Sequence, residues 1–431
     1  MSDWSGRELH FIAIGGTGMS GLAIVCAELG ARVTGSDRAE STYLDRVLGA
    51  GIEARLGHDA DSVPPTAEIV VSTAVPDSNP ELARAREHGQ RVIHRGQLLA
   101  EICAQKRLVA VAGAHGKTTT TGMLVHALRA AGADPAFFVG GELPVDGGAG
   151  ANAGWGTGEW VVAEADESDA SFLELSPEVA VVTNVELDHH ARWRSRAELA
   201  DAFREFAGRA RGLALLDERE LDPIAAGQRV VRFDAARPGP PLELRVPGAH
   251  NLLNARAALA ALELAGFDIE AAAAALAEFP GMARRQQRRG ARAGAEIYDD
   301  YAHHPTEVEA TIAALRELGP RRLIAVFQPH LYSRTKALAE RFGAALAAAD
   351  EIAVLDVYPA REEPVGELAG VSGLDVARAA SDRAGGRPVW WLRDVETANA
   401  ALAQRLRAGD LLVTLGAGDV HRLADALVEG P

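Results

Sequence analysis

The stretch LVAVAGAHGKTTTT, Leu108–Thr121, constrains this chain more than any other. Small and β-branched apolar residues, Leu108–Ala112, read as a buried strand that ends at Gly113. A short loop through Ala114 and His115 leads to Gly116, Lys117 and Thr118, and a helical pattern follows through Leu124, Val125 and Leu128. Strand, glycine loop and helix in this order aim backbone N–H groups and a helix N-terminus at one point, and Lys117 adds a full positive charge there. A hydroxyl directly after the lysine suits a Mg²⁺ ligand, so the segment reads as a triphosphate site. It departs from the strict phosphate-loop spacing, because Val111 stands where that pattern places its first glycine. Gly-Lys-Thr also arises by chance in loops. The strand before it and the helix after it favour the phosphate reading.

At 431 residues the chain has room for two to four domains. Hydrophobic residues make up 48% of it, enough for ordinary globular cores. The net charge is -16, the reverse of what a nucleic-acid binder carries, so any anionic ligand must be held by local sites. Cys26 and Cys103 form neither a metal-type spacing nor a disulfide framework, which suits a reducing compartment. No run is long enough to span a bilayer, and the first residues show no basic leader. The expectation is a cytoplasmic enzyme that inserts in no membrane and binds no nucleic acid.

Two further segments alternate strands and helices. The first opens with a strand at Leu9–Ile14, then GGTGMSG (Gly15–Gly21), a helix to about Leu29, and a strand at Arg32–Thr34 leading to Asp37. Gly16, Gly18 and Gly21 spell a literal G-x-G-x-x-G, which alone would suggest a nicotinamide dehydrogenase. Its physical content is narrower: a tight turn able to hold a diphosphate, which UDP satisfies as well as NAD. A dehydrogenase leaves the second glycine loop unexplained, and a non-catalytic nucleotide-binding module is the remaining alternative. The helix Gly96–Ile102 and the polar Gln105-Lys106-Arg107 suggest a boundary near residue 105.

In the central segment, the strands Trp160–Ala163 and Val179–Val182 each run straight into acids, Glu164-Ala165-Asp166-Glu167 and Asn184-Val185-Glu186-Leu187-Asp188-His189. Ligands of open α/β sheets bind at the carboxyl ends of strands, so metal ligands are expected there. Glu164 is the first candidate, with Asp166 and Glu167 as alternatives. Gly140–Gly158 reads as a glycine-rich mobile loop, and the basic run Arg284–Arg289 as a partly solvated linker. The last segment alternates again from Glu296–Tyr298 to Gly416-Ala417-Gly418-Asp419, a separate α/β domain in which Trp390 and Trp391 read as core.

The motifs GGTGMSG, GAHGKTT (Gly113–Thr119), EADESDASF (Glu164–Phe172), TNVELDH (Thr183–His189), GAHNLLN (Gly248–Asn254), DDYAHHP (Asp299–Pro305), QPHLYSRT (Gln328–Thr335) and Gly416–Asp419 occur in one order. Together they resemble the Mur ligase family along essentially the whole chain, and the EADESDASF and QPHLYSRT strings point to its alanine-adding member. The resemblance implies an α/β chain of three domains: a Rossmann-like UDP-sugar domain (1–105), a central P-loop ATPase domain (106–290) and a Rossmann-like domain closing over the amino acid (291–431). It implies ATP-dependent ligation of L-alanine to UDP-N-acetylmuramate through an acyl phosphate, by a monomer or homodimer. Lys117 would hold the β/γ-phosphates within the loop Gly113, His115, Gly116, Thr118 and Thr119. Thr118 and Glu164 would hold one Mg²⁺, and Glu164 with His189 a second. Asn251 and Asn254 would read the adenine, and Arg285 would face the phosphates. His303, His330 and Arg334 would meet the amino acid. Gly16, Gly18, Met19 and Ser20 would take the diphosphate, with Asp37 and Thr73 near the uridine or ribose. Three departures stand out: Ala114 where the loop commonly has threonine, Leu331 where a second arginine is frequent, and His190-Ala191-Arg192-Trp193 where many relatives carry an acid.

Overall fold

A computed structural model describes residues 4–144, 150–186, 192–225, 227–236, 239–360 and 362–430. The β-branched runs form three separate sheets, each backed by helices. The first contains β1 (Glu8–Ile12), β2 (Arg32–Asp37), β3 (Glu53–Leu56), β4 (Glu68–Val71) and β5 (Val92–His94), all parallel, in the order β3-β2-β1-β4-β5. The second contains β6 (Arg107–Ala112), β7 (Ala136–Leu143), β8 (Ala151–Gly154), β9 (Trp160–Glu164), β10 (Val179–Val182), β11 (Gly212–Leu216) and β12 (Arg229–Phe233), in the order β12-β11-β10-β6-β9-β7-β8. The third contains β13 (Gln287–Arg292), β14 (Ala295–Asp300), β15 (Arg322–Phe327), β16 (Glu351–Val354), β17 (Val389–Trp391) and β18 (Asp410–Leu415), in the order β13-β14-β18-β15-β16-β17. Among the named strands of the described residues, only β7–β8 and β13–β14 pair antiparallel. Parallel pairing needs helical crossovers that cover both faces, which is why the strands read as unbroken apolar runs such as Val179–Val182, buried throughout.

The chain divides into two compact units. One comprises Met1–Leu244 with Leu252–Phe279 and carries the first two sheets; the other comprises Arg245–Asn251 with Pro280–Pro431 and carries the third. The α/β class and the three sheet-bearing domains agree with the sequence reading.

Strand order sets where ligands can bind. In the first sheet the order reverses between β1 and β4, and the glycine run Gly15–Gly21 follows β1. In the second sheet β6 lies between β10 and β9, so the turns after these three strands share one edge. Val111 is in register with Glu164, and Ala112 with Val182.

Three local readings are corrected. The Gly140–Gly158 stretch holds the end of β7 and all of β8, with residues 145–149 outside the description. Its later glycines serve close approach: side chains at Gly156 and Gly158 would run into the Asp134 and Ala133 carbonyls. The basic run is built into the sheet, where Arg284 ion-pairs with the fully buried Asp299 at 3.0 Å and Gln287 opens β13. A buried carboxylate needs such a cation. Trp390 lies on the edge strand β17, 38% exposed, with its indole donating to Glu351 at 3.1 Å; Trp391 packs half-buried against the core. Cys26 and Cys103 are free and buried, and burial pushes both thiols up. Among the described residues no helix is long and apolar enough to cross a membrane.

Candidate active site

Gly113 and Gly116 have φ of +138° and +84°, backbone that L side chains rarely adopt. A β-carbon at Gly113 would strike Thr183 Oγ1, and one at Gly116 would strike Asn254 Oδ1. The loop is held from β10: the Asn184 side chain accepts from His115 N at 3.0 Å and donates to His115 O at 2.9 Å, while Thr183 Oγ1 donates to the same carbonyl at 2.6 Å. His115 Nε2 lies 3.1 Å from Glu186 Oε2. Gly116 is the N-cap of the helix Lys117–Ala130, and the first hydrogen bond into the helix runs from Thr120 N to Gly116 O at 2.9 Å. The backbone N–H groups of Lys117, Thr118 and Thr119 therefore have no partner within the helix and suit an anion.

The acids at and just beyond the end of β9 have different partners. Glu164 accepts from Thr118 Oγ1 at 2.6 Å and from Gly140 N. Buried Glu167 receives Lys117 Nζ at 3.0 Å, and its carbonyl accepts from Trp193 Nε1 at 2.9 Å. Asp166 and Asp169 both take Arg95 Nη2 at 2.7 Å. Burial alone would lower the Lys117 ammonium, but Glu167, Asp166 and Glu164 hold it above the usual lysine range. Burial alone would raise Asp166, yet Lys117 and Arg95 hold it well below the carboxylate range. A hydroxyl and a carboxylate side by side are the hard oxygen donors that Mg²⁺ takes. His189 lies outside the described residues.

At the other glycine loop of the same unit, Gly16 and Gly18 are exposed and Gly16 caps the helix Thr17–Glu28. Asp37 at the end of β2 accepts from Gly15 N at 2.8 Å, so its carboxylate braces the loop. Met19 and Ser20 are buried, and Ser20 is engaged internally: its N–H bonds to Gly16 O at 2.9 Å and its hydroxyl to Thr17 O at 3.1 Å. Thr73 is exposed in the turn after β4.

The two expected adenine readers stand one turn apart on the helix Ala249–Ala265. Asn254 lies beside Gly116, and the Asn251 amide donates to Pro247 O at 2.7 Å and Gln286 Oε1 at 3.1 Å. In the second unit, turns after β14 and β15 bring aromatic rings into a row: Tyr301 to His303 at 5.3 Å, His303 to His330 at 6.1 Å, and His330 stacked on Tyr358 at 5.7 Å. His303 Nδ1 meets Tyr301 O at 3.0 Å, which leaves Nε2 for a ligand. Burial lowers the His303 imidazole; Glu307 opposes this, while nearby Arg334 and Arg285 reinforce it. The Arg285 guanidinium lies over Tyr301 at 5.3 Å. Leu331, between His330 and Arg334, has φ +69°, a strained setting for a bulky residue of the kind that clusters at functional sites.

Residues 8–107 match the Mur ligase family, catalytic domain; 111–220 match the Mur ligase middle domain; and 284–418 match the Mur ligase, glutamate ligase domain. This chain belongs to the Mur ligase family. Among similar relatives is the UDP-N-acetylmuramate–L-alanine ligase of Mycolicibacterium vanbaalenii, 43% identical over 97% of this chain and 95% of that one. The enzyme of the same name from Kineococcus radiotolerans is 46% identical over 96% and 94%. Of solved structures, the UDP-N-acetylmuramate-alanine ligase of Thermotoga maritima superimposes with a TM-score of 0.83, at 27% identity over 98% of both chains. A murein peptide ligase from Psychrobacter arcticus gives 0.70, at 25% identity over 99% and 100%.

In this Mur ligase chain, the sequence alone gives Thr183 and Asn184 no role beyond a motif and marks Glu167 only as a candidate metal ligand. Two polar residues straight after a fully apolar strand, beside a glycine loop, were the available signal for the brace. Nothing local announced that Glu167 would pair with Lys117 or that Arg95 would reach Asp166, because each contact joins residues 50 or more apart in sequence.

Proposed function

We propose that this chain ligates L-alanine to the lactyl carboxylate of UDP-N-acetylmuramate with ATP as the phosphoryl donor, in peptidoglycan precursor synthesis. It is an ATP-dependent acid–amino-acid ligase. The observation that carries the reading is the Lys117–Thr118 loop with Glu164 at its side, in one compact unit with a second glycine loop suited to a diphosphate.

A carboxylate is a poor acyl donor until phosphorylated. Its oxygen attacks the γ-phosphorus and ADP leaves; the amine of alanine then attacks the acyl carbon and phosphate leaves. Phosphoryl transfer asks the protein for positioning and charge neutralisation. Lys117 supplies charge at the β/γ-phosphates, and the N–H groups of Lys117, Thr118 and Thr119 cradle them within Gly113–Gly116. Thr118 and Glu164 would hold Mg²⁺, with His189 and Glu164 for a second ion; bound there, the metal neutralises phosphate charge against the incoming carboxylate. Asn251, Asn254 and Arg285 serve ATP. Arg334, with His303 and His330, binds the amino acid, since a guanidinium matches its carboxylate. Gly16, Gly18 and the Met19 N–H take the UDP diphosphate, with Asp37 and Thr73 towards the nucleoside.

This reading takes residues 1–105, 106–290 and 291–431 as the three functional domains of a cytoplasmic monomer or homodimer. Support for the first division comes from the helix that ends at Cys103 and the strand that begins at Arg107. The test is ADP release with UDP-N-acetylmuramate and each of L-alanine, glycine and L-serine, with free tripeptide as a competing acceptor. Stimulation by L-alanine is expected. No stimulation by any of the three sinks the reading, and preference for tripeptide reassigns the chain to peptide ligation.

A further inference from the structure

Arg95 opens the helix Arg95–Cys103 at the carboxyl end of β5. Its side chain is 21% exposed, and a single nitrogen, Nη2, holds both Asp166 and Asp169 at 2.7 Å. Nη1 lies 3.4 Å from where a β-carbon on Gly18 would stand. One face of this cation is therefore fixed by the acids that follow β9, and another nitrogen faces the glycine loop after β1. The carboxylates hold the guanidinium above its already high range against burial, so it stays charged.

We propose that Arg95 is a substrate-binding residue for the UDP-sugar: Nη1 donates to a diphosphate oxygen while Nη2 remains on Asp166 and Asp169. The inference rests on the glycine loop being the diphosphate site. Backbone N–H groups alone leave most of a diphosphate's charge unbalanced, and a guanidinium clamped in its plane loses little freedom on meeting a phosphate. The same clamp ties the sugar-nucleotide loop to Asp166, whose charge acts on Lys117. Arg95 thus sets the register between the two phosphate sites.

The experiment is calorimetric binding of UDP, and separately of ADP, to the full chain and to R95M, R95K and R95M/D169N. The expected result for R95M is UDP affinity lower by about 10- to 100-fold, the range of a charged hydrogen bond. R95K should fall between, ADP affinity should hold within about threefold, and the double variant should stay as weak for UDP as R95M. Unchanged UDP binding in R95M overturns the proposal. So does recovery in R95M/D169N, which would mean that Arg95 only neutralises Asp169. Loss of ADP binding together with UDP binding in R95M, but not in R95K, would mark a folding defect and leave R95K to decide: wild-type UDP affinity there also overturns the proposal. If the unsubstituted chain does not bind UDP at all, the diphosphate reading of the loop has failed instead.

Discussion

Lys117 Nζ is shared between the Gly113 carbonyl, at 2.6 Å, and the buried carboxylate of Glu167, at 3.0 Å. The ammonium proposed to meet the ATP phosphates is thus held in place by the protein's own acid.

Lys117→Ala is expected to lower kcat by roughly 10³-fold or more, because the lysine acts where charge develops in transfer. It also removes the Lys117–Glu167 ion pair, and breaking a buried pair costs about 3–5 kcal/mol, so the melting temperature should fall. UDP affinity should stay within about threefold, since the sites lie on different sheets. Glu167→Gln keeps an acceptor for Lys117 but removes the charge, and should reduce kcat by less than Lys117→Ala does. ADP release and UDP calorimetry check both; equal loss of UDP binding in Lys117→Ala would contradict the assignment of the two loops.

Asn184 makes two hydrogen bonds to the backbone of His115, which belongs to the phosphate loop. Asn184→Ala leaves an N–H and a carbonyl of that loop without these partners, at a cost of about 1–3 kcal/mol. The expected outcome is a KM for ATP raised about tenfold, with the KM for the UDP-sugar unchanged. Thr183→Val removes one hydroxyl and should give a smaller shift in the same direction. An unchanged KM for ATP in both would show that the loop keeps its shape without the brace.

How much of this was legible beforehand follows from the range of each interaction. The strand–loop–helix at Leu108–Thr121 is local: glycines at positive φ, a lysine and a hydroxyl declare themselves by spacing, and Gly113 and Gly116 have the backbone such a loop needs. The acidic ends of β9 and β10 were legible from the same logic. Which acid serves which partner was not, because Glu164, Asp166 and Glu167 differ only in what crosses from Thr118, Arg95 and Lys117. The partners of Ser20 were equally hidden: its hydroxyl donates to Thr17 O and its N–H to Gly16 O within the helix turn. Arg284 looked solvated until Asp299, on the neighbouring strand, supplied a buried counter-charge.

Arg334 lies on the helix Tyr332–Leu346, and Leu331 occupies the place where a second arginine is frequent in the family. On the proposed function, carboxylate recognition then depends on one guanidinium. Arg334→Lys should raise the KM for L-alanine by about 10-fold and Arg334→Ala by about 100-fold, with ATP and UDP-sugar KM values little changed. Leu331→Arg is the complementary test: if the single arginine limits binding, it lowers the alanine KM, provided the backbone at φ +69° tolerates the exchange. A parallel rise in all three KM values for Arg334→Ala would remove it from the amino-acid site.

Gln286 contacts both His250 and Asp300. The Gln286 side-chain amide meets His250 Nε2 at 3.0 Å, a bond that only an unprotonated Nε2 accepts, and Gln286 N donates to Asp300 Oδ2 at 2.7 Å. Burial, with Arg285 nearby, drops the imidazole from 6.5 to about 4. Burial pushes the Asp300 carboxyl from 3.8 up to about 6, against the pull of Arg285 and two backbone N–H groups. A depressed histidine contributes stability that is present above its unfolded pKa and lost as pH falls from about 6.5 towards 4. A raised aspartate does the reverse, since the folded state binds the extra proton: stability grows as pH falls from about 6 towards 4. The two slopes oppose each other in the same window. Asp300→Asn should therefore make the chain more acid-labile than the unsubstituted protein between pH 6.5 and 4. His250→Gln should make it less so, each by roughly 3 kcal/mol across the window at about 1.4 kcal/mol per pKa unit. Melting temperatures of the three proteins across this range decide it: parallel curves would mean that neither group is shifted, and a common slope in both variants would mean that the titration belongs elsewhere.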